Sequence, residues 1–141
     1  MAADKSKRED EINRLFYLQS VYNQQYEALM NELTTFGVAQ AALQRNLELL
    51  GKKNEMKGAS ILVNGEGGTY FEANVKEMKK VITYVGAGYL VEKETEQAKE
   101  FLSKSLEMSK STINKLADEK QKLEGELMRI QYAIEAMQQG Q

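Results

Sequence analysis

Two proline-free stretches carry mostly apolar residues at the first and fourth places of a seven-residue repeat, and few folds sustain that pattern for so long. From Ile12 to Leu50 the a positions are Ile12, Gln19, Tyr26, Leu33, Gln40 and Leu47, and the d positions are Leu15, Tyr22, Leu29, Phe36, Leu43 and Leu50. From Lys99 to Met137 the a positions are Lys99, Leu106, Ile113, Lys120, Leu127 and Ile134, and the d positions are Leu102, Ser109, Leu116, Leu123, Ile130 and Met137. A globular surface helix rarely keeps one register over such a length, so the pattern predicts two coiled-coil helices. Polar seam residues such as Gln19, Gln40 and Ser109 fix register at some cost in stability. The two stretches are of nearly equal length and flank a segment that reverses the chain. They therefore pair antiparallel, with both chain termini at one end. Pairing is what holds them, because isolated helices are marginal in water while each buried seam leucine contributes about 1.5–3 kcal/mol.

Local signals set the expected limits. Ser6 and Glu9 have capping-box spacing, which places the first helix start there. Gly37, at an e position, costs the helix about 1 kcal/mol relative to alanine without ending the repeat. The helix is expected to stop at Leu50, with Gly51 as its C′ residue and the non-periodic run Lys52 to Glu55 beyond it. Glu92, Glu94 and Glu96 cluster where the second helix begins and suit the positive end of its dipole. The chain thus divides into an N-terminal coiled-coil helix (1–50), a double β-hairpin oligomerisation body (51–94) and a C-terminal coiled-coil helix (95–141).

Between the helices lie four short runs of β-formers, Ala59 to Val63, Thr69 to Val75, Val81 to Val85 and Tyr89 to Glu92. Asn64-Gly65 with Gly67-Gly68 separates the first pair and Gly86-Ala87-Gly88 the second, which predicts two consecutive hairpins. The second run alternates, with Phe71, Ala73 and Val75 on one face. The first and third are apolar on both faces, Ile61 and Val63 against Leu62, and Val81 and Val85 against Ile82 and Tyr84. Four strands of about five residues make no stable core alone and leave backbone edges unpaired. The expectation is a sheet that joins other chains in a barrel or larger sheet, with Ile61, Val63, Phe71, Val75, Ile82, Tyr84, Val85, Tyr89 and Val91 as the oligomerisation residues. The fold class is α+β and mostly α: a long antiparallel two-helix coiled coil whose intervening hairpins join an oligomeric β-barrel.

Composition excludes several kinds of chemistry. The 141 residues include no Cys, His, Pro or Trp, which removes thiolate and imidazole nucleophiles, disulfides and most metal sites. The 21 acidic residues read as solvated coil faces, so neither an enzyme nor a cofactor is expected. Gly86-Ala87-Gly88 resembles the start of a dinucleotide fingerprint, but Val91 stands in the third small-residue place and no βαβ unit precedes it. A net charge of -2 provides no basic footprint for nucleic acid. No apolar run reaches the ~20 residues of a membrane span, nor the length of a signal peptide, so a cytoplasmic protein without membrane partners is expected.

The informative residues are apolar ones off the seam. Phe16, Tyr17, Leu18 and Val21 occupy e, f, g and c positions, and Met128, Tyr132 and Ala136 lie off the second seam, where a two-stranded coil normally carries polar groups. Singly exposed apolar residues are common. Their concentration near one end of both helices, with polar stretches Gln24 to Glu32 and Asp118 to Glu126 behind, instead predicts an exposed sticky tip. Phe16, Tyr17, Leu18, Val21, Met128, Tyr132 and Met137 are its candidate residues. Phe101 and Met108 are expected to pack against the hairpin body.

The run Val81-Ile82-Thr83-Tyr84-Val85-Gly86-Ala87-Gly88-Tyr89-Leu90-Val91-Glu92-Lys93, set in a helix, two hairpins and a helix, resembles the α-class prefoldin subunits. One departure is Val63-Asn64-Gly65, where family members often carry a Val-Pro-x-Gly sequence. The resemblance implies a hexamer of two alpha and four beta-type subunits with a double β-barrel body. It also implies an ATP-independent chaperone that holds non-native polypeptides at its coiled-coil tips and passes them to a group II chaperonin. Divergent family members self-assemble or act as structural adaptors, which is the alternative reading.

Overall fold

The computed structural model describes Ala2 to Gly140. Helix α1 spans Ala2–Gly51 and is followed by a one-turn helix α2, Lys53–Met56, then strands β1 (Ser60–Asn64), β2 (Tyr70–Asn74), β3 (Lys80–Gly86) and β4 (Tyr89–Glu94), and finally helix α3, Thr95–Gln139. The architecture is α+β and mostly α, with two antiparallel hairpins between long helices. Two compact units result, one from the residues up to Val38 with those from Lys110 onward, the other from Ala39–Ser109. Helices α1 and α3 contribute to both.

In the first unit the helices run antiparallel, because Gln19 bonds Gln131 while Tyr26, later in α1, bonds Glu124, earlier in α3. Helix α1 begins four residues before the expected cap, so Ser6 lies inside it and no capping box starts there. Oppositely charged residues at four-residue spacing, Asp4 and Arg8 or Lys5 and Glu9, favour helix over this stretch although it carries no apolar repeat. The helix continues through Gly37, and residue Gly51 remains helical rather than acting as a left-handed stop. Beyond it the Lys52 amide reaches Glu48 O at 3.2 Å and Leu49 O at 3.1 Å, and the run expected to be irregular forms α2 instead.

In the second unit the strands form two separate two-stranded sheets, β1 with β2 and β3 with β4, rather than one four-stranded sheet. β1 pairs with β2 from Ser60 opposite Asn74 to Asn64 opposite Tyr70. Its turn needs glycine at residue 65, since a Cβ there would sit 3.0 Å from the Phe71 ring and 3.1 Å from Thr69 O. β3 pairs with β4 from Lys80 opposite Glu94 to Gly86 opposite Tyr89, with a register shift between Tyr84 and Gly86. The Gly86-Ala87-Gly88 turn has all three residues at positive φ, which confirms a hairpin turn rather than a phosphate loop. β4 takes in Glu92 and Glu94, leaving only Glu96 in the first turn of α3. The start of α3 is anchored by Thr95, whose buried hydroxyl donates to Met78 O (2.9 Å) or Lys79 O (3.1 Å).

The core of this unit is Leu50, Ala98 and Leu102, with Leu43, Leu47, Met78, Val81 and Phe101 packed on it. The bases of the helices therefore cover one face of β3, the face of Val81 and buried Thr83. The opposite face, with Ile82 and Tyr84, is open.

Candidate functional site

Two surfaces remain once the seam is accounted for. Every a and d position of both repeats is buried or half-buried, including Gln19, Gln40, Lys99, Ser109 and Lys120. Leu29, Leu50, Leu102, Ile130 and Ile134 are the most enclosed of its large side chains. Two polar networks cross the seam of the first unit. Gln19 Nε2 donates to Gln131 Oε1 at 3.0 Å, and Gln131 Nε2 donates to Glu135 Oε1 at 3.1 Å. The Tyr26 hydroxyl donates to Glu124 Oε1 at 3.1 Å, with Lys120 Nζ at 3.6 Å from the same oxygen. Partnered in this way, polar seam residues set register rather than merely weakening the coil.

Off the seam, the apolar candidates divide. Phe16 is 44% exposed, Tyr17 69%, Met128 56% and Tyr132 63%, so these four present large side chains to solvent. Leu18 and Val21, expected to face water as well, are half-buried: Leu18 at g flanks the seam, and Val21 is a short β-branched side chain sharing its helix face with Tyr17 at i−4. Met137 is half-buried at its d position and belongs to the seam. The four exposed residues do not share one face. Tyr17 at f points away from the seam on α1, Met128 at b and Tyr132 at f point away from it on α3, and Phe16 at e lies at the seam's margin. They therefore lie on the outer sides of both helices and at the seam's margin. Phe101 packs on the core of the second unit, with Lys93 Nζ 4.4 Å from its ring centroid, whereas Met108, expected to pack with it, is 72% exposed.

The second surface is the pair of hairpins. Ile61, Val63, Phe71, Ile82, Tyr84, Val85, Tyr89 and Val91 are all exposed, and Val75 is half-buried. Leu62, Tyr70 and Leu90, which were not among the oligomerisation candidates, are exposed with them. Beside β3 lies a groove of ≈ 470 Å³ lined chiefly by Leu43, Leu49, Leu50, Val81, Thr83 and Tyr84. Leu49 was not among the sequence candidates, and its c position gave no signal; it lines the groove with residues of β3. Thr83 Oγ1 is buried here without a hydrogen-bond partner. No group of three or more His, Cys, Asp or Glu among the described residues could hold a metal, and no described helix is long and apolar enough to cross a membrane.

Comparison with known proteins places this geometry. A family model described as Prefoldin subunit matches residues 22–140. A prefoldin subunit alpha of Methanococcus vannielii is 30% identical over 137 residues, covering 92% of this chain and 92% of that protein. That of Methanosarcina mazei is 32% identical over 136 residues, covering 86% of this chain and 94% of the relative. The fold is also that of a filamentous prefoldin from Methanocaldococcus jannaschii solved by cryo-electron microscopy, with a TM-score of 0.65 at 22% identity over 88% of this chain and 98% of the other. A helical pair with a covered seam, two hairpins between its helices, and relatives that match nearly end to end together show that this chain belongs to the prefoldin family, on its alpha-subunit side.

Proposed function

We propose that this chain is the alpha subunit of an ATP-independent holdase, assembled with beta-type prefoldin subunits as two alpha and four beta. In this reading it captures non-native polypeptides at the ends of its helical pairs and passes them to a group II chaperonin in the cytoplasm. Family membership supplies the coarse part, since prefoldin subunits are chaperones and not enzymes, and work in oligomers. The observation that carries the finer part is the contrast within the first unit: the seam is covered throughout, yet Phe16, Tyr17, Met128 and Tyr132 remain in water, where the fold has no use for them. Large apolar side chains held on the outer sides of the helices offer adaptable contacts to unrelated clients. Residues 1–50 and 95–141 act as the capturing arm and 51–94 as the assembly body, with Leu18, Val21 and Met137 supporting the exposed four.

The test is suppression of light scattering by a chemically unfolded client as it is diluted from denaturant, with the subunit assembled with a beta-type partner. Suppression that falls when Phe16, Tyr17, Met128 and Tyr132 are together replaced by serine supports the reading; no suppression at stoichiometric excess refutes it. A second reading, a self-assembling filament or structural adaptor, is favoured by the likeness to the filamentous prefoldin. Mass measurement of the chain with and without a beta-type subunit separates the two, because a filament-former grows alone and a hexamer subunit does not.

A further inference from the structure

We infer that Met128 is an oxidation site whose conversion to the sulfoxide turns down capture by the terminal helical surface without unfolding the chain. The inference rests on the client-capture reading above and adds a means of controlling it. Three observations carry it.

The chain has no cysteine, so the thioethers are its only sulfur groups and no thiol competes for oxidant. Among the described methionines, Met30, Met56, Met78 and Met137 are half-buried, whereas Met108 and Met128 are 72% and 56% exposed. Met128 therefore meets a small oxidant without any opening of the helical pair. Finally, Met128 stands at a b position one helical turn from exposed Tyr132, with which it shares the outer face of α3. An added oxygen there disturbs no packed layer, but it converts the flexible apolar side chain of that face into a polar one.

The oxidant is a hydroperoxide. The thioether lone pair attacks one peroxide oxygen, an S–O bond forms and the O–O bond breaks. The departing oxygen takes the proton of the transferred one and leaves as water from hydrogen peroxide, or as the alcohol from an organic hydroperoxide. Sulfur is oxidised by two electrons and the peroxide is reduced by two. Met108 undergoes the same reaction on α3, but it lies in the second unit, Ala39–Ser109, apart from the proposed capture residues, and so serves as an internal control for exposure without function.

The experiment treats the assembled protein with hydrogen peroxide and follows oxidation by peptide mass spectrometry, folding by thermal melting, and capture by suppression of client aggregation. The expected result is that Met108 and Met128 oxidise ahead of the half-buried methionines, the melting curve holds, and capture falls severalfold. Met128→Leu, compared with itself before and after peroxide, keeps its capture, while Met108→Leu loses it as the wild type does. Met128→Gln shows the loss without peroxide. The inference is overturned if Met128 oxidises no faster than the half-buried methionines, if capture by the Met128→Leu variant falls as far as that of the wild type, or if melting falls together with capture. Untreated wild type that captures nothing overturns the client-capture reading itself, which distinguishes that failure from a failure of the switch.

Discussion

Ser109→Ala should stabilise the chain, and the structure sets the size of the gain. Ser109 occupies a d position of α3, is 9% exposed, and its hydroxyl is buried without a hydrogen-bond partner. A buried unsatisfied polar group costs about 1–3 kcal/mol, all of which is recovered when the oxygen is removed. Alanine adds about 0.5 kcal/mol from its better helix propensity. The space vacated by one oxygen takes back roughly 0.3 kcal/mol, at ~24 cal/mol per Å³ of residual cavity. The net gain is therefore about 1–3 kcal/mol, which raises the melting temperature of a chain of this size by about 3 °C or more. Ser103→Ala is the control, since Ser103 is exposed on the same helix and carries the propensity gain alone. Urea and thermal unfolding followed by circular dichroism, at one protein concentration for all variants, give the two differences. If Ser109→Ala stabilises no more than Ser103→Ala, the hydroxyl is partnered in solution and the reasoning fails.

Gly125 lies inside α3 with nothing within 4 Å of where a Cβ would stand, so Gly125→Ala should stabilise by about 1 kcal/mol in the same melts. Ile130→Ala and Ile134→Ala, at seam positions 7% and 4% exposed, should each cost about 2–5 kcal/mol, whereas Tyr17→Ser and Tyr132→Ser should move stability by less than about 0.5 kcal/mol; urea midpoints check both halves. Val85→Glu and Ile82→Glu place a charge on the exposed strand residues of β3 and should lower the assembled mass in sedimentation while leaving far-ultraviolet circular dichroism unchanged.

The seam was legible in the sequence to the residue, because a repeat of 3.5 admits only one stripe and every member of it is covered, Lys120 and Ser109 included. The hairpins were legible too, since Asn64-Gly65 and Gly86-Ala87-Gly88 carry turn chemistry that does not depend on the rest of the fold. What escaped depends on neighbours distant in the chain or on forces other than burial. The start of α1 at Ala2 rests on charge spacing and not on the apolar repeat. The cover over Val81 and Thr83 comes from Leu50, Ala98 and Leu102, which no local pattern in β3 could announce. Among the site candidates, off-seam heptad position found the exposed four, but it did not separate them from Leu18 and Val21, because e, g and c positions are exposed or half-buried according to the side chains beside them, as Phe16 at e and Met108 at c show.

The two exposed apolar surfaces differ in what their backbones offer, and that difference bears on which partner each would take. β1 to β4 pair only within their hairpins, so each hairpin has outer edges with N–H and C=O groups that another strand could meet. Such groups are directional, fix register and orientation, and favour one partner of matching geometry. Phe16, Tyr17, Met128 and Tyr132 stand on helices whose backbone bonds are already made along the helix, so they offer side-chain surface alone. Apolar contact is non-directional and scales with area, which suits segments that share hydrophobicity but no structure. On the proposed reading, the hairpins would suit a few specified neighbours and the exposed helical residues many unspecified ones. Exchanging a hairpin residue should change which chains assemble, while exchanging an exposed helical residue should change only how strongly clients are held.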